Sequence, residues 1–134
     1  MLNIEKDVRN VIDRNLLEAF ALFPNIPLDM RTCAKWLWED AGLDEFSCRA
    51  KIIELSENGW LTCYVDTYQR MFISMPDDIR AQVQDSRAIH FEDHAILVWH
   101  CLDAVDAKNE NPTPNAEKYM PFTLSIVEYF CTNE

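Results

Sequence analysis

The residues best suited to chemistry lie between positions 90 and 101. His90 and His94 are four positions apart, and Cys101 follows His94 by one heptad. On one continuous helix these three side chains share a face, which makes the two histidines candidate zinc ligands. Glu92 and Asp93 do not complete the His-Glu-x-x-His pattern of a metalloprotease. We therefore predict no metal site and expect both acidic residues to stabilise the start of a helix. A small metal-dependent enzyme remains an alternative that rests only on the histidine pair.

A cysteine nucleophile would need a histidine within hydrogen-bonding reach. His100 adjoins Cys101 in sequence, but neighbours on a helix point about 100° apart and do not pair directly. The cysteines are five in number and include no Cys-x-x-Cys pair, which argues against a disulfide framework and a thiolate zinc site. The two glycines of the chain cannot supply a phosphate-binding Gly-x-x-x-x-Gly-Lys-Ser/Thr loop. We predict a protein that is not an enzyme, has no cofactor and keeps buried free thiols.

The charge of the chain bears on the class of partner. Its 134 residues include 12 Lys and Arg against 23 Asp and Glu, which gives a net charge of −11. Such a surface repels phosphate groups, so nucleic acid and anionic membranes are disfavoured partners, whereas basic or apolar proteins are allowed. No apolar stretch approaches the roughly 20 residues that cross a bilayer. We predict a cytoplasmic protein without membrane association.

The apolar pattern predicts a mainly α fold that positions these residues. Apolar residues at spacings of three and four indicate three helices. The second has Asp29 as its N-cap and ends at Gly42, and Asp44 precedes the third. A β-hairpin and a fourth helix that begins near Pro76 follow. The predicted elements are helices over 8–20, 30–41 and 45–57, strands over 60–65 and 71–75, and helices from 76, over 91–107 and over 116–131.

This order predicts two parts. Residues 1–86 form a winged helix, with a three-helix core and the hairpin as its wing. Residues 87–134 form an antiparallel helical hairpin with a loop over 109–115 and an interruption or kink near Pro121. Because these two helices are so apolar, the pair must bury one face. We therefore expect it to pack on the winged helix or to start a helical array.

Three segments resemble a known family, in the right order and at fitting distances. Residues 16–24 read LLEAFALFP, residues 37–42 read LWEDAG, and residues 72–77 read FISMPD. They are similar to the Leu-Phe-Pro, Leu-Trp-x-x-x-Gly and Met-His-Asp motifs of the winged-helix domain in NB-ARC and NOD-like (STAND) signal-transducing NTPases. The resemblance covers about residues 15–84.

The resemblance implies a regulatory role. In that family the domain is a lid on the nucleotide-binding domain, and the Met-His-Asp histidine contacts the nucleotide. Pro76 stands at the histidine position and offers no donor to a phosphate, so we expect nucleotide sensing to be inactive. Asp77 matches the family aspartate, and we expect it to stabilise a helix start. We predict a noncatalytic protein-interaction module, either part of a larger signalling protein or a small stand-alone relative.

The candidate partner-binding residues are Trp36, Tyr68 and Arg70. Trp36 and Trp38 lie about 160° apart on a helix, so we expect one of them to be exposed and able to anchor a partner. The alternative function is that of a winged-helix transcription regulator that binds DNA. Its third helix carries Arg49 and Lys51 among four acidic residues, and its wing carries only Arg70. This charge pattern favours protein binding over DNA binding. The sequence does not predict an oligomeric state.

Overall fold

The computed structural model describes residues 3–105 and 114–133, with no side-chain detail at 114, 115 and 133. It is mainly helical, as predicted, with a small antiparallel sheet. The elements are α1 (Ile4–Asp7), α2 (Val11–Leu22), β1 (Leu28–Asp29), α3 (Met30–Ala41), α4 (Glu45–Glu57), β2 (Thr62–Val65), β3 (Met71–Ser74), α5 (Asp77–Ser86), a short 3₁₀ turn (Phe91–Asp93), α6 (Ala95–Ala104) and α7 (Pro114–Asn133).

Local capping chemistry sets several helix ends. The Asp29 carboxylate accepts from the backbone amide of Thr32 at 2.9 Å, and the Asp44 carboxylate accepts from that of Ser47 at 2.7 Å. Asp29 is the N-cap that the sequence predicts for α3, and Asp44, which was expected to precede the next helix, caps α4. Gly42 ends α3 in the left-handed conformation, with a φ of 74°, which a residue without a Cβ adopts at no steric cost.

The sheet contains one strand that the sequence did not predict. The β2–β3 hairpin is observed where it was expected, and β1 pairs with the other edge of β3 to give the order β1-β3-β2. In that pairing Leu28 lies opposite Ile73. A strand of two residues has no alternating pattern to recognise, so only its pairing reveals it. The pairing fixes the hairpin to the start of α3.

Helix α2 lies at the centre of the core, in contact with α3, α4, α5 and α7. The second half of α2, residues 16–22, is apolar on every side except at Glu18 and is therefore covered on all sides. Its nearly inaccessible apolar residues are Leu16, Leu17, Ala19, Phe20, Ala21 and Leu22. The sequence predicted one helix from residue 8 with one buried face. Instead, α1 ends before Val8 and α2 begins after Asn10, because the Asn10 side chain accepts from the amides of Ile12 and Asp13 and so caps a new helix.

Helices α6 and α7 pack as the predicted antiparallel pair. Phe91, just before α6, contacts Phe130 near the end of α7, with the two ring centroids 5.5 Å apart. Further along the pair, the Thr123 hydroxyl donates to the carbonyl of Cys101 at 2.8 Å. Both helices belong to the same hydrophobic core as α2. Helix α7 is continuous through Pro121, so the predicted interruption is not observed. The predicted loop lies outside the described residues, except that Pro114 and Asn115 already belong to α7.

Among the described residues, no helix is both long enough and apolar enough to cross a bilayer.

Replacing the buried Trp36 tests this core. Trp36 is 4% exposed, and its ring contacts Phe23 at 6.2 Å and Tyr119 at 5.2 Å. We expect Trp36→Ala to lower the free energy of unfolding by about 3–5 kcal/mol, because it leaves a large cavity between α3 and α7. The measurement is urea denaturation followed by circular dichroism. Phe46 is 83% exposed on α4, so Phe46→Ala serves as the control and should change stability by less than about 0.5 kcal/mol. Equal effects of the two substitutions would contradict the packing.

Candidate partner-binding groove

An open groove lies where the β2–β3 hairpin meets the start of α3, the middle of α4 and the first half of α7. Its volume is about 410 Å³. We call it the basic groove because four cationic side chains and a single carboxylate line it. The lining residues are Asp29, Met30, Arg31, Arg49, Gln69, Arg70, Met71, Phe72 and Lys118.

The backbone brings these cations together from four separate elements. The β1–β3 pairing places Asp29 opposite Phe72, so that Arg31 on the first turn of α3 lies beside the hairpin. Arg49 reaches the hairpin from α4, with its guanidinium 3.8 Å from the sulfur of Met71. Lys118 extends from α7 to within 3.7 Å of the Asp29 carboxylate. The basic groove therefore depends on the docking of α7 as well as on the sheet.

Arg70 is held in place by the turn of the hairpin. The Asp66 carboxylate accepts from the backbone amides of Tyr68 and Arg70 and from the Arg70 guanidinium, at 2.8–2.9 Å. Although desolvation opposes it, these hydrogen bonds hold the pKa of Asp66 below its ordinary value. The Arg70 guanidinium also lies over the rings of Tyr68 and Phe72, at 5.3 and 5.9 Å. This positions a cation whose side chain is 65% exposed.

The charge of the basic groove is opposite to that of the whole chain. Arg31 and Arg49 are exposed and have no ion-pair partner among the described residues. The one carboxylate, Asp29, already caps α3 and lies near Lys118. Outside the groove, the Lys51 ammonium lies 3.0 Å from the Asp13 carboxylate, so this cation of α4 is already neutralised. An anionic group entering the basic groove would meet two cations, Arg31 and Arg49, that no described carboxylate neutralises.

The structure separates the three predicted partner-binding residues. Tyr68, which is 78% exposed, and the exposed Arg70 lie together at the tip of the hairpin beside the basic groove. Trp36 is buried, so the expectation that it is the exposed tryptophan of α3 is wrong. The physical reason is that α3 is covered by α4 on one side and by α6 and α7 on another. Trp38 is the more accessible of the two tryptophans.

Arg31 and Lys118 were not identified as site residues from the sequence, and Arg49 was considered only together with Lys51, as a possible DNA contact. Arg31 and Lys118 are far apart in sequence, and only the packing of α7 near the start of α3 brings them to one groove. The only sequence signal for the basic groove was that Arg49 and Arg70 lie on the third helix and the hairpin, the two elements that a winged helix uses to bind DNA.

Pro76 occupies the N-cap position of α5, with a φ of −57°, and its carbonyl accepts from the Arg80 amide at 2.9 Å. Proline suits a helix start because its missing N–H would have no helical partner there. Asp77 and Asp78 lie in the first turn, where their charge favours the helix dipole.

The candidate metal ligands are not arranged as the sequence suggested. His90 and His94 do not share a helix face, because a 3₁₀ turn at Phe91–Asp93 separates them and α6 starts only after His94. His90 is exposed, whereas His94 is fully buried with its Nε2 atom 3.1 Å from the Glu18 carboxylate. Within residues 3–105 and 114–133, no three His, Cys, Asp or Glu side chains form a group that could hold a metal ion.

The thiol of Cys101 is also unsuited to catalysis. Burial raises its pKa to about 12, so it stays protonated at neutral pH and is a poor nucleophile. Its neighbour His100 stacks edge-on against Trp99 with ring centroids 5.3 Å apart.

Glu18 joins α2 to the segment that precedes α6. Its buried carboxylate contacts His94, lies 3.1 Å from the Arg87 guanidinium and lies 3.7 Å from that of Arg14. Desolvation raises its pKa, but the hydrogen bond and charge interactions with His94 and Arg87 outweigh it, so the pKa lies below its ordinary value of 4.5. This cluster is a structural connection, because the core covers Glu18 and His94 almost completely.

Glu18→Gln should lower the free energy of unfolding near pH 7 by about 3 kcal/mol, because it leaves the buried Arg14 without its anion. A carboxylate whose pKa is lowered on folding stabilises the fold above its unfolded value, and this contribution is lost as the pH falls through the folded value. We therefore expect the difference from the native chain to shrink as the pH falls below about 4.5. Urea denaturation at several pH values measures it. The exposed Glu57→Gln is the control, and a pH-independent difference would contradict the account.

No known protein family matches the chain, and no curated protein or solved structure matches it either. The resemblance to NB-ARC winged helices therefore stays a prediction from the sequence motifs. Function is to be inferred from the basic groove and its charges.

Proposed function

We propose that the protein is a noncatalytic interaction module and that its basic groove binds an acidic segment of a protein partner. The observation that carries this proposal is a groove lined by four cations, two of which (Arg31 and Arg49) form no ion pair among the described residues, in a chain with a net charge of −11. A short peptide rich in Glu or Asp would gain charge-assisted hydrogen bonds from Arg31 and Arg49. Tyr68, Phe72 and Met71 add apolar surface beside the cations.

The distribution of the other charges favours a peptide over nucleic acid. A DNA duplex lying along α4 and the hairpin would meet Asp44, Glu45, Glu54 and Glu57 as well as the basic groove. Lys51 offers little help because Asp13 and Glu54 already bind its ammonium group. A short acidic peptide can occupy the basic groove alone and avoid the acidic residues at both ends of α4.

We further propose a winged-helix fold for the first part of the chain and a regulatory role like that of the NB-ARC lid. Support comes from the order of α2, α3, α4 and the hairpin, and from the three sequence motifs. Pro76 provides no side-chain donor at the family's nucleotide-contacting position. Regulation would therefore act through contact with another protein or an adjoining domain, without a nucleotide signal from Pro76.

DNA binding is the second candidate function. The observation in its favour is that Arg49 of α4 and Arg70 of the hairpin line the same groove, which is how a helix and a wing would grip a duplex together. Counterion release would then make the affinity fall steeply with salt.

A binding titration tests the proposal. The probe is a fluorescein-labelled peptide of Glu, Asp and Ser, and the readout is fluorescence anisotropy. We expect Arg31→Glu/Arg49→Glu to weaken binding at least about tenfold, or about 1.4 kcal/mol, because both cations become repulsive. These two arginines make no ion pair with any residue that the structure describes, so the variant should stay folded.

The matched control is Arg9→Glu/Lys35→Glu, which changes the net charge equally at exposed residues outside the basic groove. Peptide binding should be nearly unaffected by it. Equal loss in both variants would indicate a general charge effect and contradict the groove. Tighter binding of a DNA duplex than of the peptide, sensitive to Arg49, would favour the second candidate.

A further inference from the structure

A second surface, on the outside of the α6–α7 pair, exposes large apolar side chains. We call it the apolar face; its members are Ile96, Trp99, Leu102, Met120, Leu124 and Val127. Trp99 and Leu124 are 61% and 60% exposed. Surface hydrophobic residues scattered singly need no explanation, but a contiguous group on two adjacent helices marks an interaction site.

The helix periodicity shows why these residues form one surface. On α7, Met120, Leu124 and Val127 recur at spacings of four and three, which aligns them in a stripe. The opposite side of α7 carries Phe122, Ile126 and Phe130, which the core buries.

The two helices bring their exposed residues side by side. The Thr123 hydroxyl donates to the Cys101 carbonyl, so the helix segments that carry Leu124 and Leu102 are adjacent. The face therefore spans both α6 and α7.

A concave site lies at the α6 end of the apolar face. It has a volume of about 300 Å³ and is lined by Glu39, Ala95, Ile96, Trp99 and His100. Its wall is mostly apolar, and the Glu39 carboxylate stands at its edge. Such a site can hold one apolar side chain of a partner, while a basic residue next to it in the partner pairs with Glu39.

The rim of the apolar face is acidic. Glu39, Asp103, Glu117 and Glu128 are exposed, and none forms an ion pair among the described residues. Lys118, next to Glu117 in sequence, is directed to Asp29 and the basic groove instead. Exposed carboxylates therefore border the apolar face.

We propose that the apolar face binds a basic amphipathic helix of another protein, one with an apolar stripe flanked by Lys and Arg. Its apolar stripe would cover Trp99 and Leu124 while its flanking cations pair with the acidic rim. A second copy of this chain is a poor occupant, because its own acidic rim and its net charge of −11 would be repelled. An anionic membrane surface is repelled for the same reason. This site is separate from the basic groove and is opposite to it in charge.

The probe is a fluorescein-labelled helical peptide of Leu, Lys and Ala with leucines at spacings of three and four. A peptide of the same composition in scrambled order is the control for amphipathicity. We expect the helical peptide to bind the native chain and the scrambled one to bind at least about tenfold more weakly. Trp99→Ala/Leu124→Ala should weaken the helical peptide at least about tenfold. Phe46→Ala removes a still more exposed aromatic side chain from α4 and should leave binding unchanged.

Charge reversal at the rim provides the second readout. Glu117→Lys/Glu128→Lys should weaken binding several-fold and reduce its salt dependence, whereas Glu57→Lys, on α4, should not. Binding that is insensitive to both the apolar and the rim variants would overturn the proposal. So would self-association in sedimentation equilibrium, or binding to phosphatidylserine vesicles, that Trp99→Ala/Leu124→Ala abolishes. Arg31→Glu/Arg49→Glu should leave the helical basic peptide bound. The proposal for the basic groove and the proposal for the apolar face can therefore fail independently, and the two failures are distinguishable.

Discussion

The rest of the structure depends on the burial of the second half of α2, residues 16–22, from every side. Each polar group of that helix inside the core must then find a partner on another element. The Ala21 carbonyl accepts from the side chains of Arg80 and Gln84 on α5, at 3.0 and 2.8 Å, and the Leu22 carbonyl accepts from Ser125 on α7 at 2.6 Å. Glu18 on the same helix binds the segment before α6. One helix therefore fixes α5, α6 and α7 through hydrogen bonds as well as through apolar contact.

Both candidate interaction surfaces follow from that arrangement. Since α7 must pack on α2, its first half lies beside the start of α3, and Lys118 completes a basic groove whose other cations come from α3, α4 and the hairpin. Since only one side of α7 can enter the core, Leu124 and its neighbours remain on the outside. Four cations collect in the basic groove, and exposed carboxylates border the apolar face. This division of charge lets a strongly acidic chain present a basic site.

Local signals were sufficient to predict much of the fold from the sequence. Asp29, Asp44 and Gly42 mark helix ends through their own backbone hydrogen bonds and φ preferences, so they are recognisable without knowledge of the rest of the chain. The hairpin and the two C-terminal helices were recognised from periodicity. Strand β1 was missed because two residues have no period, and the burial of Trp36 was missed because it depends on α7 covering α3. The basic groove could not be predicted, since Arg31 and Lys118 meet only through tertiary packing.

The most direct test of the account is a two-dimensional ¹H–¹⁵N NMR titration of the protein with the acidic peptide. The account predicts that amide shifts change around the basic groove, at Arg31, Arg49, Lys118 and the hairpin residues 66–72, and that the amides of Trp99 and Leu124 stay unchanged. Changes that are confined to the α6–α7 face, or the absence of any change at peptide excess, would contradict the claim that the basic groove binds an acidic partner.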